Sequence, residues 1–425
     1  MKLRDTIGKI GKTYGDQLMA QGSRGKGFKT RRFQSMVFDV DAAVGGGYPR
    51  GRFILAYGPP SGGKSVLLYK ALAGMQIYCR YCTARFKIDQ NGEETCDCPV
   101  HCVDCKTDFV PIPYTGPKPT DDDPFDWELL HDEFLCECLV QPKGTKAKKD
   151  RKKKVSRLAA PCRGVLFDAE RSYDQDWVET LGVNTSLIFV FVPEYAEQGI
   201  DIADNLLRSG EIDFLGVDSI AELVPSKEIE TSAEEWQVGL QARLVNKGFR
   251  KWSASMNSFG VHTARLPVVF IVNQIRESMM GETIPGGWMQ RFKSAIMIRV
   301  NGSKGKFKEH GTGDDKLKEL VYMDISGFTK KNKTYPAFKR YSTRLYVAGG
   351  HGLPCGSTNE YGVVRERAIE TRVIDTDSSG SSKKYTYKKE VWKTLKAIEE
   401  SMKGNYELFW EIRDEAMKRV VEAQA

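Results

Sequence analysis

The stretch from Gly51 to Tyr69 constrains the fold of this chain more than any other part of the sequence. A short apolar run breaks into glycines and prolines and then resumes as a helix-like pattern. Glycines in such a break let backbone N–H groups surround a triphosphate, a lysine reaches the β and γ phosphates, and a serine hydroxyl ligates Mg²⁺. The pattern predicts a strand, a phosphate-binding loop and a helix whose N-terminus faces the anion. The predicted phosphate-binding residues are Gly58, Pro59, Pro60, Ser61, Gly62, Gly63, Lys64 and Ser65.

Length and charge narrow the class of protein. A chain of 425 residues that is 40% hydrophobic and 28% charged can bury a large core, and this length predicts roughly two to three folding units. It contains no run of about 18 apolar residues, and it begins with charged residues rather than a secretory signal, so we expect a cytoplasmic protein with no membrane contact. The net charge of +8 is compatible with a polyanionic partner, but many plain enzymes are as basic.

Eight of the ten cysteines fall within one segment, which in a cytosolic protein favours metal binding over disulfides. Cys79-x-x-Cys82 and Cys102-x-x-Cys105 have the spacing of a zinc ribbon, in which four thiolates hold a tetrahedral Zn²⁺ ion. The other four cysteines allow a second zinc site, in which His101 could replace one ligand. An iron–sulfur cluster is the alternative. The possible ligands of this second site are Cys96, Cys98, Cys136 and Cys138.

Residues 79–161 break the regular pattern of the chain. They combine the cysteine clusters with an acidic, proline-rich stretch and a lysine run at residues 143–154. We therefore predict an inserted zinc-binding module with a disordered basic loop. The lysine run is either a solvated loop or a contact for nucleic-acid phosphates. Ahead of the phosphate loop, residues 3–19 have the pattern of a short amphipathic helix, which a basic link follows.

From Gly164 onward, apolar strands alternate with helices. This alternation predicts an α/β fold with a mostly parallel sheet. One strand ends in Asp218, where a nucleotide hydrolase places the carboxylate that holds Mg²⁺. Any buried strand can end in aspartate, so this role depends on the phosphate loop in the same chain. The predicted strands are 164–168, 187–192, 214–218 and 266–272, with helices at 174–181 and 199–209.

Two further polar residues follow strand ends. Because the carboxyl ends of parallel strands form the ligand crevice, Glu170 and Gln274 should converge with Asp218 and the phosphate loop. Glu170 is a candidate for the base that activates water, with a helix-capping acid as the alternative. The amide of Gln274 could contact the γ phosphate and report its loss to the glycine-rich loop at residues 279–290.

The order of these motifs resembles RecA-type homologous recombinases, including the phage UvsX-like branch, over nearly the whole chain outside the insertion. The family usually has Glu at the position of Pro60, and the acidic residues 232–235 and the insertion also depart from its pattern. The resemblance is carried by residues 10–22 and 51–65, Asp168-Ala-Glu170, Leu181-Gly-Val183, Arg208-Ser-Gly210, Val217-Asp-Ser219, Glu228-Ile-Glu230, Asn273-Gln-Ile-Arg276, Gly286-Gly287, Lys331-Asn-Lys333 and Phe338-Lys339.

The resemblance implies an ATP and Mg²⁺ site. Lys64 and Ser65 would bind phosphate and Mg²⁺, and Asp218 would be the Walker B acid. Glu170 would activate water, and Gln274 would sense the γ phosphate. Further implied ATP contacts are Asp174 and Trp177 at the adenine, and Lys331 and Lys333, which match lysines that reach the ATP of a neighbouring subunit.

The resemblance also implies DNA binding and self-assembly. Residues 228–235 correspond to the first DNA-binding loop of the family and residues 275–290 to the second, and the N-terminal helix would pack on the next protomer. The implied DNA-binding residues are Glu228, Ile229, Arg243, Arg276, Met279, Met280, Gly286, Gly287, Trp288 and Arg291.

The expected domain plan has four parts. Residues 1–35 are a polymerisation helix and linker, residues 36–78 with 162–350 a RecA-like ATPase core, residues 79–161 the zinc module, and residues 351–425 a small C-terminal α/β domain. We expect a DNA-dependent ATPase that forms helical filaments on single-stranded DNA and exchanges strands with a homologous duplex.

Two other functions share this core. A hexameric motor of the replicative helicase type is the main alternative, against which the N-terminal helix and the Lys331-Asn-Lys333 element argue. In regulatory ATPases of the RadA or circadian-clock type, the zinc ribbon precedes the phosphate loop, whereas the clustered cysteines here follow it.

Overall fold

The structure is a computed structural model, in which the chain divides into two compact units, Met1–Gln76 with Arg163–Ala425 and Ile77–Cys162. The residues that it describes are 30–80, 161–232, 239–259, 266–278, 281–310, 317–347, 354–378 and 383–424, with shorter pieces at 7, 9, 12–13, 83, 85–88, 94–95, 110–111, 133–136 and 153–156.

An eight-stranded sheet forms the centre of the described part of the larger unit. The spatial order is β3-β2-β4-β5-β1-β6-β7-β8. Neighbouring strands from β3 to β6 run parallel, whereas β7 and β8 are antiparallel to their neighbours. The predicted α/β fold with a mostly parallel sheet is therefore confirmed. In chain order the strands are β1 (Phe53–Gly58), β2 (Gly164–Asp168), β3 (Ile188–Phe191), β4 (Phe214–Asp218), β5 (Val268–Gln274), β6 (Ile296–His310), β7 (Leu317–Asn332) and β8 (Arg340–Tyr346).

Helices cover both faces of this sheet. Successive strand side chains point to opposite faces, so Leu55 and Leu215 pack on the side of α4 and α6, while Gly216 faces Leu68 of α2. The helices are α1 (Phe38–Val44), α2 (Lys64–Gln76), α3 (Gln175–Thr180), α4 (Ala196–Ser209), α5 (Ser226–Glu230), α6 (Leu240–Asn257), α7 (Met289–Lys293), α8 (Glu360–Glu370), α9 (Leu395–Gly404) and α10 (Tyr406–Gln424), with 3₁₀ turns at Thr185–Leu187 and Ile220–Glu222.

The predicted strands agree with the observed ones where the apolar run is unbroken. β2 and β4 are buried on both faces and coincide with the predicted ranges 164–168 and 214–218. β5 begins at Val268 instead of Leu266, next to Pro267, whose nitrogen has no hydrogen to donate to a neighbouring strand. It continues to Gln274, so this residue belongs to the strand and pairs with Gly58.

The segment after β8 belongs to the same compact unit as the sheet. Its helices α8 to α10 accompany a three-stranded antiparallel sheet. Arg413 of α10 is fully buried and bonds both Asp41 of α1 and Glu360 of α8 at 2.8 Å. This cluster attaches the C-terminal helices to the start of the core. The remaining strands of this unit are Arg32–Phe33 with Tyr48–Pro49, Arg276–Ser278 with Gly281–Thr283, and Asp375–Asp377, Lys384–Tyr387 and Glu390–Trp392.

The smaller unit contains the predicted zinc module. Its described strands are Lys87–Ile88 with Glu94–Thr95, and Val110–Pro111, Glu133–Cys136 and Lys153–Ser156. Cys79 is buried and forms a β-bridge with Pro161. Among the described residues no three metal-binding side chains cluster. The zinc sites stay a prediction, because the side chains of the other expected ligands, Cys82, Cys96, Cys98, Cys102, Cys105, Cys136 and Cys138, lie outside the described residues.

Candidate active site

The phosphate loop joins β1 to α2, and its glycines are required by the space around them. A Cβ atom on Gly58 would lie 2.2 Å from the backbone oxygen of Val300 on β6. Gly63 has a left-handed φ of +91°, and a Cβ there would meet the Ile325 side chain at 2.6 Å. Lys64 starts α2, and its ammonium donates to the Pro59 carbonyl at 2.6 Å. The loop is therefore tightly packed, and the Lys64 side chain bonds back to its first part.

A cleft of about 400 Å³ opens over this loop. The loop from Pro60 to Val66 forms its floor, so Pro60, where the resembled family usually has Glu, lines the cleft. The tips of neighbouring parallel strands supply the opposite side, as the rule for carboxyl ends of strands predicts. Lysine, serine, two carboxylates and an amide therefore share one cavity. The other lining residues are Glu170, Trp177, Asp218, Val272, Gln274, Met323 and Leu345.

Asp218 is a buried carboxylate without the partners that such a group normally has. Its side chain is 2% exposed, and by hydrogen-bond geometry neither oxygen accepts a bond from any residue that the structure describes. Burial raises the pKa of Asp218 to about 6, which the nearby Ser65 hydroxyl counteracts in part and Glu170 reinforces. Burial also lowers the pKa of Lys64, against the attraction of Asp218.

The donor set fits a hard divalent cation. Mg²⁺ takes oxygen ligands and is usually held by one or two protein oxygens together with substrate phosphates. The unpaired Asp218 oxygens and the Ser65 hydroxyl beside the phosphate loop match that requirement. These two residues would hold Mg²⁺ here.

Glu170 and Gln274 are in direct contact. The Gln274 side-chain amide donates to a carboxylate oxygen of Glu170 at 2.8 Å. Asp168 shapes the turn that carries Glu170, because its two oxygens accept the backbone N–H groups of Ser172 and Tyr173 at 3.0 and 2.9 Å. In the sequence, Asp168 stands out only as part of a motif, and the signal for its role is its place at the end of β2.

Three apolar side chains also line the cleft. Trp177 lines it from α3, while Met323 and Leu345 line it from β7 and β8, where they are direct cross-strand partners. Apolar and aromatic side chains in a cleft suit the flat face of a nucleobase. Asp174 is exposed, and its carboxylate accepts the Trp177 backbone N–H at 2.7 Å as the N-cap of α3. The sequence does not identify Met323 and Leu345 as cleft residues, because their pairing depends on the register of an antiparallel hairpin.

Lys331 and Lys333 lie away from this cleft. Lys331 donates to the carbonyls of Arg291 and Phe292, and Lys333 donates to Phe292 at 3.0 Å, so both bind the C-terminal end of α7. The end of β7 pairs with the start of β6, which lies beside the amino end of β1. The two lysines are therefore at the opposite end of β1 from the phosphate loop.

Two of the residues predicted for the first DNA-binding loop, Glu228 and Ile229, are described and exposed, while residues 233–235 of that loop lie outside the described residues. Glu228 and Ile229 lie on α5, where the Ile229 side chain is 56% exposed. Arg243 is exposed near the start of α6. Met279 and Met280 of the second loop lie outside the described residues.

The second loop is described on both sides of that gap. Arg276 is exposed in a short hairpin, and Gly286 and Gly287 have left-handed φ angles of 87° and 82°. Trp288 is 66% exposed, with the Arg291 guanidinium 5.0 Å from the centre of its ring. An exposed aromatic ring beside an arginine is the type of surface on which nucleic-acid bases stack.

Comparisons with known proteins point to one family. The family model described as the RecA N-terminal domain matches residues 1–98 and 155–351. The chain is 35% identical to Protein RecA of Fusobacterium nucleatum over 190 residues, which are 44% of this chain and 47% of that protein. It is 37% identical over 183 residues to Protein RecA of Lactococcus lactis, covering 41% of this chain and 44% of the relative.

A longer match is to Protein RecA of Oceanobacillus iheyensis, 33% identical over 256 residues, 58% of this chain and 70% of the relative. The chain thus spans about half the length of the first two relatives. The described helices include none with the length and apolar character needed to cross a bilayer. The family match covers most of the chain and leaves out residues 99–154, within the smaller unit, and residues 352–425. The chain belongs to the RecA family.

Proposed function

We propose that this protein is a DNA-dependent ATPase that assembles into filaments on single-stranded DNA and catalyses homologous pairing and strand exchange. The observation that carries the proposal is the cleft in which Lys64, Ser65, Asp218, Glu170 and Gln274 meet. Family membership supports it, as does the exposed aromatic and basic surface beyond the tip of β5.

The positions of the side chains support a hydrolytic step. The phosphate-loop N–H groups and Lys64 hold the phosphates of ATP. Glu170 accepts a proton from water as its oxygen bonds to the γ phosphorus, and the bond to the β–γ bridging oxygen breaks to release ADP. Gln274 holds Glu170 before the reaction and offers its amide to the γ phosphate. Mg²⁺ on Ser65 and Asp218 would neutralise phosphate charge when bound.

Self-assembly would complete the site. Lys331 and Lys333 cannot serve the ATP of their own chain from the opposite end of β1, but in a head-to-tail assembly they could face the phosphates of a neighbour. Open head-to-tail contacts generate helical filaments. This supports a filament rather than an isolated enzyme.

Several finer assignments belong to this proposal and rest on the sequence patterns. They are a relationship to the phage UvsX-like branch, a cytoplasmic location, and Zn²⁺ in the smaller unit. Elemental analysis of the purified chain should find at least one zinc ion, and a metal-free chain with normal melting would contradict the zinc assignment.

ATP hydrolysis measured with and without single-stranded DNA tests the proposal directly. We expect hydrolysis to require DNA, and DNA affinity to fall steeply with salt and show little base preference, since phosphate contacts dominate. Electron microscopy with an ATP analogue should show helical filaments. Closed rings would favour the hexameric motor, and salt-independent or sequence-restricted binding would contradict the recombinase function.

A further inference from the structure

A buried pair of amides lies directly behind the ATP cleft. Asn273 ends the buried run of β5, one residue before Gln274, and Gln290 lies in the first turn of α7. Both side chains are fully buried. The Asn273 amide nitrogen donates to the Gln290 side-chain oxygen at 2.7 Å. The pair therefore joins the strand that carries the proposed γ-phosphate sensor to the helix that follows the second DNA loop.

All the polar atoms of the two side chains are used, which fixes their orientation. The Asn273 nitrogen also donates to the Pro285 carbonyl at 2.9 Å, and its oxygen accepts the backbone N–H of Gln274 at 2.8 Å. The Gln290 nitrogen donates to the carbonyls of Pro285 and Gly287. Rotating either amide by half a turn would set donor against donor or oxygen against oxygen.

The network touches both functional regions through the backbone. On one side it holds the peptide N–H of Gln274, whose own amide contacts Glu170. On the other side it holds Pro285 and Gly287, the last part of the loop that carries the exposed Trp288. A shift of the strand tip when Gln274 turns toward a phosphate would break these bonds unless the loop moved with it. Broken bonds in a dry site are costly, so concerted movement is favoured.

We propose that the Asn273–Gln290 pair is a positioning link that makes the second DNA loop respond to the nucleotide at Gln274. The proposal rests on the proposed function and adds two residues to it that touch neither ATP nor DNA. Their role is to couple the nucleotide bound in the cleft to the DNA affinity of the second loop. The strength of this coupling is a free energy shared between the two sites.

The test compares single-stranded DNA affinity in ADP with that in an ATP analogue. Gln290→Met keeps the length of the side chain and removes its polar atoms. Gln290→Glu keeps the shape and the acceptor for Asn273, but sets an oxygen against two carbonyls. Both variants should bind the ATP analogue within about twofold of wild type, while the ratio of the two DNA dissociation constants falls at least about fivefold.

Gln76→Met is the matched control. Gln76 is a buried glutamine at the end of α2 whose amide bonds both backbone groups of Asn184, away from the loop. This variant should lose comparable thermal stability and keep the wild-type ratio. If Gln290→Met fails to fold, the isosteric Gln290→Glu gives the answer. A wild-type ratio in the folded Gln290 variants would overturn the link, whereas wild-type protein that binds no DNA in either nucleotide would overturn the proposed function as well.

Discussion

Two buried aspartates in the larger unit show opposite treatments of charge. Asp41 is fully buried and Asp218 is 2% exposed, and burial raises their pKa values to about 7 and about 6. Asp41 bonds Arg413 and the backbone N–H of Ser35. Asp218 has no such partner among the described residues and lies near Glu170, a like charge. The paired aspartate holds the fold together, and the unpaired one leaves its oxygens available for a cation.

The surroundings of Arg413 complete that pairing. Its guanidinium bonds Glu360 as well as Asp41, and the Phe38 and Trp410 rings lie 5.4 and 5.0 Å away. A buried ion cluster of this kind tolerates its desolvation only when the donors and acceptors are matched. In the cleft, the buried oxygens of Asp218 have no matching donor among the described residues, which lowers the stability of the protein. A bound ligand that supplied a partner would remove this penalty. Four predictions test this contrast, from the largest expected effect to the smallest.

The two charged residues Lys64 and Glu170 should have different roles in the cleft, one in ATP binding and the other in hydrolysis. Lys64→Ala removes the cation over the phosphate loop, so ATP affinity should fall at least about 100-fold. Glu170→Gln preserves shape and should bind ATP nearly as wild type, yet hydrolyse it about 10²–10⁴-fold more slowly because the proton acceptor is lost. Nucleotide titration and phosphate release measure the two effects. Hydrolysis at the wild-type rate by Glu170→Gln would make the assignment of the base wrong.

Breaking the paired cluster should act on stability alone. Arg413→Met leaves Asp41 and Glu360 buried together without a cation, and we expect a loss of about 3–5 kcal/mol in the free energy of unfolding. Arg344→Met is the control, since the Arg344–Asp324 pair is well exposed and should contribute about 0–1 kcal/mol. Urea denaturation measures both. Equal losses in the two variants would contradict a special role for the buried cluster.

Neutralising the carboxylate of Asp218 should raise the free energy of unfolding, whereas breaking the Arg413 cluster lowers it. Asp218→Asn removes a buried charge that, despite the nearby Lys64 cation, accepts no hydrogen bond from any described residue. The nucleotide-free protein should therefore become more stable by about 1–2 kcal/mol, while Mg²⁺-dependent ATP binding is lost. Asp168→Asn is the matched control, because Asp168 is similarly buried but accepts two backbone N–H groups. The Asp168→Asn variant should be less stable than the wild-type protein. Thermal unfolding without nucleotide distinguishes them, and a destabilised Asp218→Asn would show that its oxygens are already paired.

This contrast also marks how far the sequence predicts the molecule. The glycine spacing of the phosphate loop and the carboxyl ends of parallel strands depend on local patterns, so the sequence alone could place Lys64, Asp218, Glu170 and Gln274 together. Met323 needed the register of a long antiparallel hairpin, about which apolar alternation says little.

Partners distant in the chain could not be predicted either. Arg413 reads as one more basic residue on an amphipathic helix, yet it bonds residues on two other helices. The Asn273–Gln290 pair has no spacing rule, since two amides meet only because a loop returns to the tip of its strand. Periodicity identifies which face of an element is buried, whereas the pairing of polar groups inside depends on tertiary packing.

The smallest effect concerns pH and Asp41. Burial, opposed by Arg413, raises the pKa of Asp41 from 3.8 to about 7, with Glu360 also nearby. The folded chain therefore binds this proton more tightly than the unfolded chain, so the stabilisation is complete below about pH 4 and is lost as pH rises through about 7. Between pH 6 and 7 the loss should be about 1 kcal/mol. Asp41→Asn keeps an acceptor for Ser35 and should remove this part of the slope. Urea titrations at several pH values measure the difference in the free energy of unfolding between Asp41→Asn and wild type, in which the titration of other groups cancels. Parallel pH profiles of the two proteins would mean that Arg413 keeps Asp41 ionised throughout.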